Sequence, residues 1–151
     1  MADTTPTAIR QAGPDDAPEL ARLSTQLGYP MSPSVAAAQL SEVAGHADHA
    51  VLVAEAPDGL AGWIQVSLSR IFEAPAAAEI AGLVVDEARR GEGVGPRLLR
   101  AAEDWAHARG CRAVRVRSNV VRERAHAFYE REGYRRVKVQ QVFEKRIRDS
   151  R

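Results

Sequence analysis

The chain has a single cysteine, Cys111, among its 151 residues. One cysteine cannot form an internal disulfide and gives no zinc-binding spacing, so we expect neither a disulfide scaffold nor a metal site. The sequence also lacks a run of eighteen or more apolar residues, so it predicts no membrane-spanning helix. The first residues contain neither the basic nor the apolar segment of a secretory signal, which indicates a cytoplasmic protein.

Charge of one sign is not in excess either, since 21 basic and 20 acidic residues leave a formal net charge of +1. A general nucleic-acid-binding protein has a basic surplus on one face, so this balance argues against one. Apolar residues at 45% and charged residues at 27% are typical of a globular protein. The length suits one domain over residues 1–151 with a sizeable core.

Turn signals and hydrophobic periodicity divide the chain into strands and helices. Helices are predicted to end near residues 27 and 44, with two more over residues 94–109 and 122–132; either Ser32 or Ser34 caps the second. Strands are predicted over residues 7–11, 49–56, 60–69, 80–85, 113–118, 134–139 and 141–147. This order predicts an α+β layer arrangement around a central mixed sheet.

The most informative segment is a buried strand followed by a glycine-rich turn and a helix. Residues 80–85 are apolar and β-branched, and Gly91, Gly93 and Gly95 follow. Their N–H groups, with the N-terminus of the helix, can converge on a phosphate. A Walker loop is excluded because no lysine follows the glycines, and a dinucleotide fingerprint is excluded because Pro96 occupies its last glycine position.

The remaining pattern, Arg90-x-x-Gly93-x-Gly95 after a strand, resembles the acyl-CoA-binding signature of the GNAT superfamily of N-acetyltransferases. Two further segments follow in the order of that family: Ser118-Asn119 closes a strand, and the sequence AHAFYE precedes Gly133-Tyr134. The resemblance covers essentially the whole chain. It implies a three-layer αβα fold with a mostly antiparallel sheet, acetyl-CoA as the acyl donor, no metal, and direct transfer without an acyl-enzyme.

The resemblance assigns the pyrophosphate of the donor to residues 90–95, which we call the phosphate turn: Arg90, Gly91, Glu92, Gly93, Val94 and Gly95. It assigns backbone groups of Leu83, Val84 and Val85 to the pantetheine arm and the thioester carbonyl, a role that suits a β-bulge with unpaired N–H groups. Asn119 either contacts CoA or caps the next helix. Arg89 either touches phosphate or is a solvated surface charge.

The same resemblance suggests two catalytic residues. Tyr129 matches the tyrosine that protonates the CoA thiolate, and a phenol is protonated at neutral pH; its neighbour Phe128 is expected in the core. Glu79 is a general base, an ammonium-binding anion or an ordinary strand-end carboxylate. Strict alternation along the strand would place Glu79, Ala81 and Leu83 on one face.

Substrate walls in this family come from the first two helices and the loop before the signature strand. Here those regions hold Tyr29 and Phe72, with Trp63 on the strand that leads in, and we predict these three as substrate residues. Such a mixture suits a small amine with an apolar portion. It does not separate an aminoglycoside from a polyamine, an amino acid or a peptide N-terminus.

Several functions therefore stay open at this point. The leading one is acetyl transfer from acetyl-CoA to a primary amine of a small molecule, which retention of both the phosphate turn and Tyr129 favours. The alternatives are a peptide N-terminal acetyltransferase, a non-catalytic acyl-CoA-binding or sensing module, and a structural domain that uses the glycine turn only for packing. The final strands, at residues 137–143, suggest a homodimer.

Overall fold

The structure, a computed structural model, describes residues 8–117 and 123–148. It divides into two compact units, Met1–Arg117 and Ser118–Arg151, so the single domain over residues 1–151 stays a prediction. Asn119 lies outside the described residues. Within those residues, no helix combines the length and the apolar character needed to cross a bilayer.

The first unit is a five-stranded sheet with helices. In chain order its elements are β1 (Ile9–Gln11), α1 (Ala17–Gln26), α2 (Pro33–Ala44), β2 (His49–Ala56), β3 (Gly59–Ser69), β4 (Ala77–Val85), α3 (Val94–Ala108) and β5 (Val114–Val116), with 3-10 turns at Pro14–Asp16 and Glu87–Arg89. The strands lie in the order β1-β2-β3-β4-β5, antiparallel except for the parallel pair β4–β5. The prediction of a mixed, mostly antiparallel sheet is confirmed.

Helices cover both faces of this sheet, which confirms the three-layer arrangement. Leu23 of α1 and Leu40 of α2 pack on Val53 of β2, in a core cluster that includes Val84. Helix α3 packs on the other face. At Gly62 it comes so close that an added Cβ would lie 3.0 Å from the Leu98 side chain. We call these two surfaces the α1–α2 face and the α3 face. Ser32 caps α2 by accepting a hydrogen bond from the Val35 N–H at 3.2 Å.

A β-bulge interrupts β4 at Ala81, which is an extra residue in the ladder with β3. A bulge shifts the alternation of side chains. Glu79, before the bulge, therefore lies on the same face as Val84 and Trp63, the α1–α2 face. The prediction that Glu79, Ala81 and Leu83 share one face is wrong, because it assumed a regular strand.

The second unit contains α4 (Glu123–Arg131), close to the predicted bounds. The strands predicted over residues 134–139 and 141–147 are wrong: no ladder among the described residues includes them. Their large apolar side chains are exposed, Phe143 at 91%. Strand preference measures how well a side chain fits a partly buried, paired surface, so an alternating pattern without a paired neighbour forms no strand.

Candidate active site

The phosphate turn joins β4 to α3, and two of its glycines adopt a left-handed backbone. Gly91 has φ +85° and Gly93, the N-cap of α3, has φ +81°. Nothing lies within 4 Å of a Cβ added at either position. Glycine is therefore required there by the backbone conformation rather than by close packing, and the space outside the turn is open for a ligand.

The N-terminus of α3 presents free N–H groups beside these glycines. The Arg97 N–H bonds to the Gly93 carbonyl at 3.4 Å, at the start of the helical ladder. The N–H groups of Val94 and Gly95 precede that bond and have no acceptor within the helix, while Pro96 has no N–H at all. Free donors at the positive end of a fifteen-residue helix form a site for an anion.

The charged side chains in and beside the phosphate turn are exposed or paired within the protein, which leaves the backbone N–H groups as the main candidates to bind an anion. Arg90 and Glu92 are exposed. Arg89, just before the turn, forms an ion pair with Asp58 at 2.7 Å and lies 3.9 Å from Glu92. The guanidinium of Arg89 is therefore paired with carboxylates of the protein itself.

The second half of β4 has an open edge. β5 pairs with β4 only at Ala78, Glu79 and Ile80. Leu83 and Val85 are half-buried, Val84 is buried, and all three pair with β3 on one side. Among the described residues no strand pairs with them on the other side, which leaves room for an extended ligand along this edge.

Glu79 forms an ion pair with Arg117, which follows β5. Arg117 donates from Nη2 and Nε to Oε1 of Glu79, at 2.8 and 3.2 Å. Both hydrogen bonds end on the same oxygen, and three-quarters of the Glu79 side chain is shielded from solvent. These two bonds hold the carboxylate on the α1–α2 face through Oε1.

Trp63 lies half-buried on the same face as Glu79. Its ring crosses Gly82, where an added Cβ would lie only 2.8 Å from Cη2. Its Nε1 is buried and has no hydrogen-bond partner among the described residues. The other two predicted substrate residues, Tyr29 and Phe72, are exposed, at 67% and fully.

An open groove of about 490 Å³ lies beside α1 and the start of α2. None of the three predicted substrate residues lines it. Its walls are formed by Pro18, Ala21, Arg22, Thr25, Gln26, Met31 and Pro33. The structure therefore does not gather Tyr29, Trp63 and Phe72 into this groove.

Tyr129 belongs to the second unit, in the last turn of α4. Its ring contacts Phe128 and Tyr134 edge to face, at 5.1 and 5.8 Å between ring centres. Its carbonyl accepts the Tyr134 N–H at 2.9 Å, and the Gly133 N–H bonds to Glu130 at 3.2 Å. With Gly133 at φ +93°, this is a Schellman motif, which fixes the backbone of Tyr129. Phe128, predicted in the core, is half-buried.

Sequence reasoning missed Asp86, a buried carboxylate between β4 and the phosphate turn. Burial by itself raises the pKa of Asp86, yet hydrogen bonds from the Ala88 N–H, Arg22 and Gln26 outweigh it and hold the pKa below its usual range. The available signal was an Asp directly after a strand, a residue type that caps turns through its side chain. Its partners on α1 lie some sixty residues away, beyond local pattern reading.

Comparison with known proteins agrees with this geometry. Residues 17–134 match the family model described as Acetyltransferase (GNAT) family. The chain is 46% identical over 67 residues to aminoglycoside N(6')-acetyltransferase type 1 of Klebsiella aerogenes, a match that covers 41% of this chain and 43% of that protein. It is 32% identical over 131 residues to the protein of the same name from Stenotrophomonas maltophilia, which covers 83% and 84%.

A solved structure has the same fold. AAC(6')-Iy in complex with the bisubstrate analogue CoA-S-monomethyl-acetylneamine superposes with a TM-score of 0.81 at 19% identity, over 92% of this chain and 97% of that one. The family match spans most of the chain, including β4, the phosphate turn and α4. The chain belongs to the acetyltransferase (GNAT) family.

Proposed function

We propose that this protein transfers the acetyl group of acetyl-CoA directly to a primary amine of a small molecule. The observation that carries the proposal is the phosphate turn, in which two left-handed glycines lead into free N–H groups at the start of α3. Family membership and the N-acetyltransferase names of the two relatives support the same reaction. A turn used only for packing would not need open space around both glycines.

The donor fits the two open features of the first unit. N–H groups of Gly91, Gly93, Val94 and Gly95 would bind the pyrophosphate, because backbone donors suit an anion without requiring charged side chains. The open edge of β4, at residues 83–85, would pair with the amides of the pantetheine arm. An N–H group near the bulge would then stabilise the negative charge that develops on the thioester oxygen.

Proton transfer needs one group at the amine and one at the sulfur. Glu79 would accept the proton of the attacking amine, directly or through water, with Arg117 holding Oε1. The nitrogen forms a bond to the carbonyl carbon, the C–S bond breaks, and the Tyr129 hydroxyl would protonate the departing thiolate. The Schellman motif of α4 supports this role by fixing the tyrosine backbone.

The proposed acceptor is a small polar amine of the aminoglycoside kind. Both relatives described above carry that substrate in their names. On this chain, Glu79 supplies an anion for an amino group, and Trp63 on the same sheet face supplies an apolar surface for a sugar ring. Tyr29 and Phe72, whose rings are exposed, would close over the acceptor from the neighbouring loops. A cytoplasmic location and a homodimer accompany this proposal as predictions from the sequence.

The test is a calorimetric titration of the protein with acetyl-CoA. We expect micromolar binding that Gly93→Asp abolishes, because the carboxylate would repel the pyrophosphate. Gly110→Asp is the matched control, since Gly110 has the same φ of +81°, the same open surroundings, and lies beyond the other end of α3. Equal loss in both variants, or no binding by folded wild-type protein, would contradict the proposed donor site.

Acceptors are then compared by release of the CoA thiol. The panel contains aminoglycosides, linear polyamines, amino acids and short peptides with free N-termini. Turnover that is confined to peptides would replace the small-molecule acceptor with a protein N-terminus. Donor binding without turnover of any amine would instead indicate an acyl-CoA-binding module.

A further inference from the structure

Asp86 organises the backbone that leads into the phosphate turn. Its side chain accepts the Ala88 N–H at 3.1 Å, its carbonyl accepts the Arg89 N–H at 2.8 Å, and its own N–H bonds to the Ala61 carbonyl at 2.8 Å. The residue is only 8% exposed. These bonds fix residues 86–89 as a tight turn against the start of β3.

Two side chains of α1 hold this turn from the outside. Gln26 accepts the Glu87 N–H on Oε1 at 3.0 Å and donates from Nε2 to Asp86 at 3.4 Å. Arg22 donates to the other oxygen of Asp86 at 3.2 Å and to the Leu60 carbonyl at 3.2 Å. Arg22 is itself oriented by Glu19, which accepts two hydrogen bonds from its guanidinium.

The phosphate turn has few anchors of its own. Residues 90–93 are exposed, and the Glu92 N–H reaches the Arg89 carbonyl at a long 3.3 Å. On the far side, Val94 and Gly95 are buried against the rest of the unit. The direction of the N–H groups in the phosphate turn therefore depends on the position of residues 86–89. Hydrogen bonds from α1 hold residues 86 and 87 in that position.

We propose that Gln26 and Arg22 are positioning residues for pyrophosphate binding: they hold the 86–89 turn so that the N–H groups of the phosphate turn converge on the donor. This inference rests on the donor site proposed above. Neither side chain needs to touch the ligand. A donor that lacks the pyrophosphate should therefore be insensitive to their loss.

Gln26 offers the cleaner test, because removal of Arg22 would also leave Asp86 and Glu19 without a cation. Gln26→Ala removes both hydrogen bonds, whereas Gln26→Glu keeps the acceptor for the Glu87 N–H and places a like charge beside Asp86. Gln39→Ala is the matched control, an exposed glutamine within α2 that is changed in the same way.

The experiment measures the Kd of acetyl-CoA by calorimetry and the kcat/KM of acetyl-CoA relative to S-acetylpantetheine, which lacks the pyrophosphate. For Gln26→Ala we expect a Kd about tenfold higher and a donor preference about tenfold lower, the size expected for loss of the bond from the Glu87 N–H and the long bond to the Asp86 carboxylate. Gln26→Glu should show the same direction of change, and Gln39→Ala should match the wild type.

Each outcome decides the question. Unchanged acetyl-CoA affinity in a folded Gln26→Ala variant overturns the positioning role. Equal losses with both donors also overturn it, since they would show a general structural effect. If wild-type protein does not bind acetyl-CoA, the proposed donor site itself fails, and that result is distinct from failure of the variants alone.

Discussion

At the level of single residues, the proposed general base Glu79 has a fixed geometry. The two Arg117 hydrogen bonds to Oε1 hold the carboxylate, so the protein sets its direction. A residue that only ends a strand would tolerate replacement by glutamine, which keeps the shape and the hydrogen-bond acceptor. A general base would not.

We predict that Glu79→Gln lowers kcat/KM for the amine by about 100-fold, because glutamine cannot accept the proton. The measurement is steady-state turnover across pH at saturating acetyl-CoA. If Glu79 takes the proton, raising the pH restores part of the activity, since more of the amine is then neutral. An effect on KM alone would instead make Glu79 a binding anion for the ammonium group.

Tyr129→Phe should lower kcat by about 100-fold while the Kd of acetyl-CoA stays within twofold, because only the acid for the thiolate is lost. Tyr134→Phe is the control, since it removes a hydroxyl from the ring that contacts Tyr129. Equal effects in the two variants would count against Tyr129 as the acid. A viscosity-independent rate in Tyr129→Phe would show that chemistry has become limiting.

At the level of elements, the layers depend on a close approach between α3 and β3 at Gly62. We predict that Gly62→Ala reduces the free energy of unfolding by about 2 kcal/mol, because its Cβ would lie 2.5 Å from the Val84 carbonyl. Urea denaturation measures the change. Gly45→Ala, where the new Cβ meets only ordinary contacts at 3.6 Å, should be neutral or slightly stabilising.

The helices and the hairpin of the first unit follow from local sequence. Ser32 caps α2, Gly110 follows α3 in a left-handed conformation, and two β-rich runs flank a two-residue turn at residues 57 and 58. The bulge at Ala81 had no such signal, because alanine fits a regular strand as well as a bulge and only the pairing with β3 reveals the extra residue. That one residue decides which face Glu79 occupies.

The strands predicted after α4 show that local sequence can also predict an element that does not form. Val137, Val139 and Val142 have strand-forming side chains, yet nothing in the described residues pairs with them. The strand preference of a segment says nothing about whether a second strand is present to pair with it. The glycine turn could be predicted from sequence because glycine acts through its own backbone, whereas the contacts from α1 to residues 86 and 87 are long-range and appear in no local pattern.

At the scale of the whole molecule, stability should depend on pH through three carboxylates of the first unit. Hydrogen bonds from Arg10 hold the pKa of Asp16 below its usual range, bonds from Arg22 do so for Glu19, and the pKa of Asp86 is lowered as well. A lowered pKa means that the folded state favours the ionised form, so this stability is present above the usual carboxyl range, near pH 4, and is lost below it.

We therefore predict that the unfolding temperature is flat from about pH 8 to pH 5 and falls steeply below about pH 4. Calorimetric melts across this range measure the dependence. Asp86→Asn should make the fall in unfolding temperature less steep, since it removes one of the three linked groups, while Asp104→Asn, at an exposed position on α3, should leave the steepness unchanged. A wild-type melt that is independent of pH would show that the ion pairs add no net stability.

The unequal lengths of β4 and β5 have a consequence for how the protein behaves without its ligand. Because β5 accompanies only the first part of β4, the backbone amides of residues 83–85 sit at an edge that water, or a strand of another molecule, can reach. A pantetheine chain bound along that edge would displace the water and block pairing with a strand of another molecule. Bound acetyl-CoA would then act as an additional strand at this edge, which slows deuterium uptake by these amides and prevents the edge-to-edge association that stays open to the ligand-free protein.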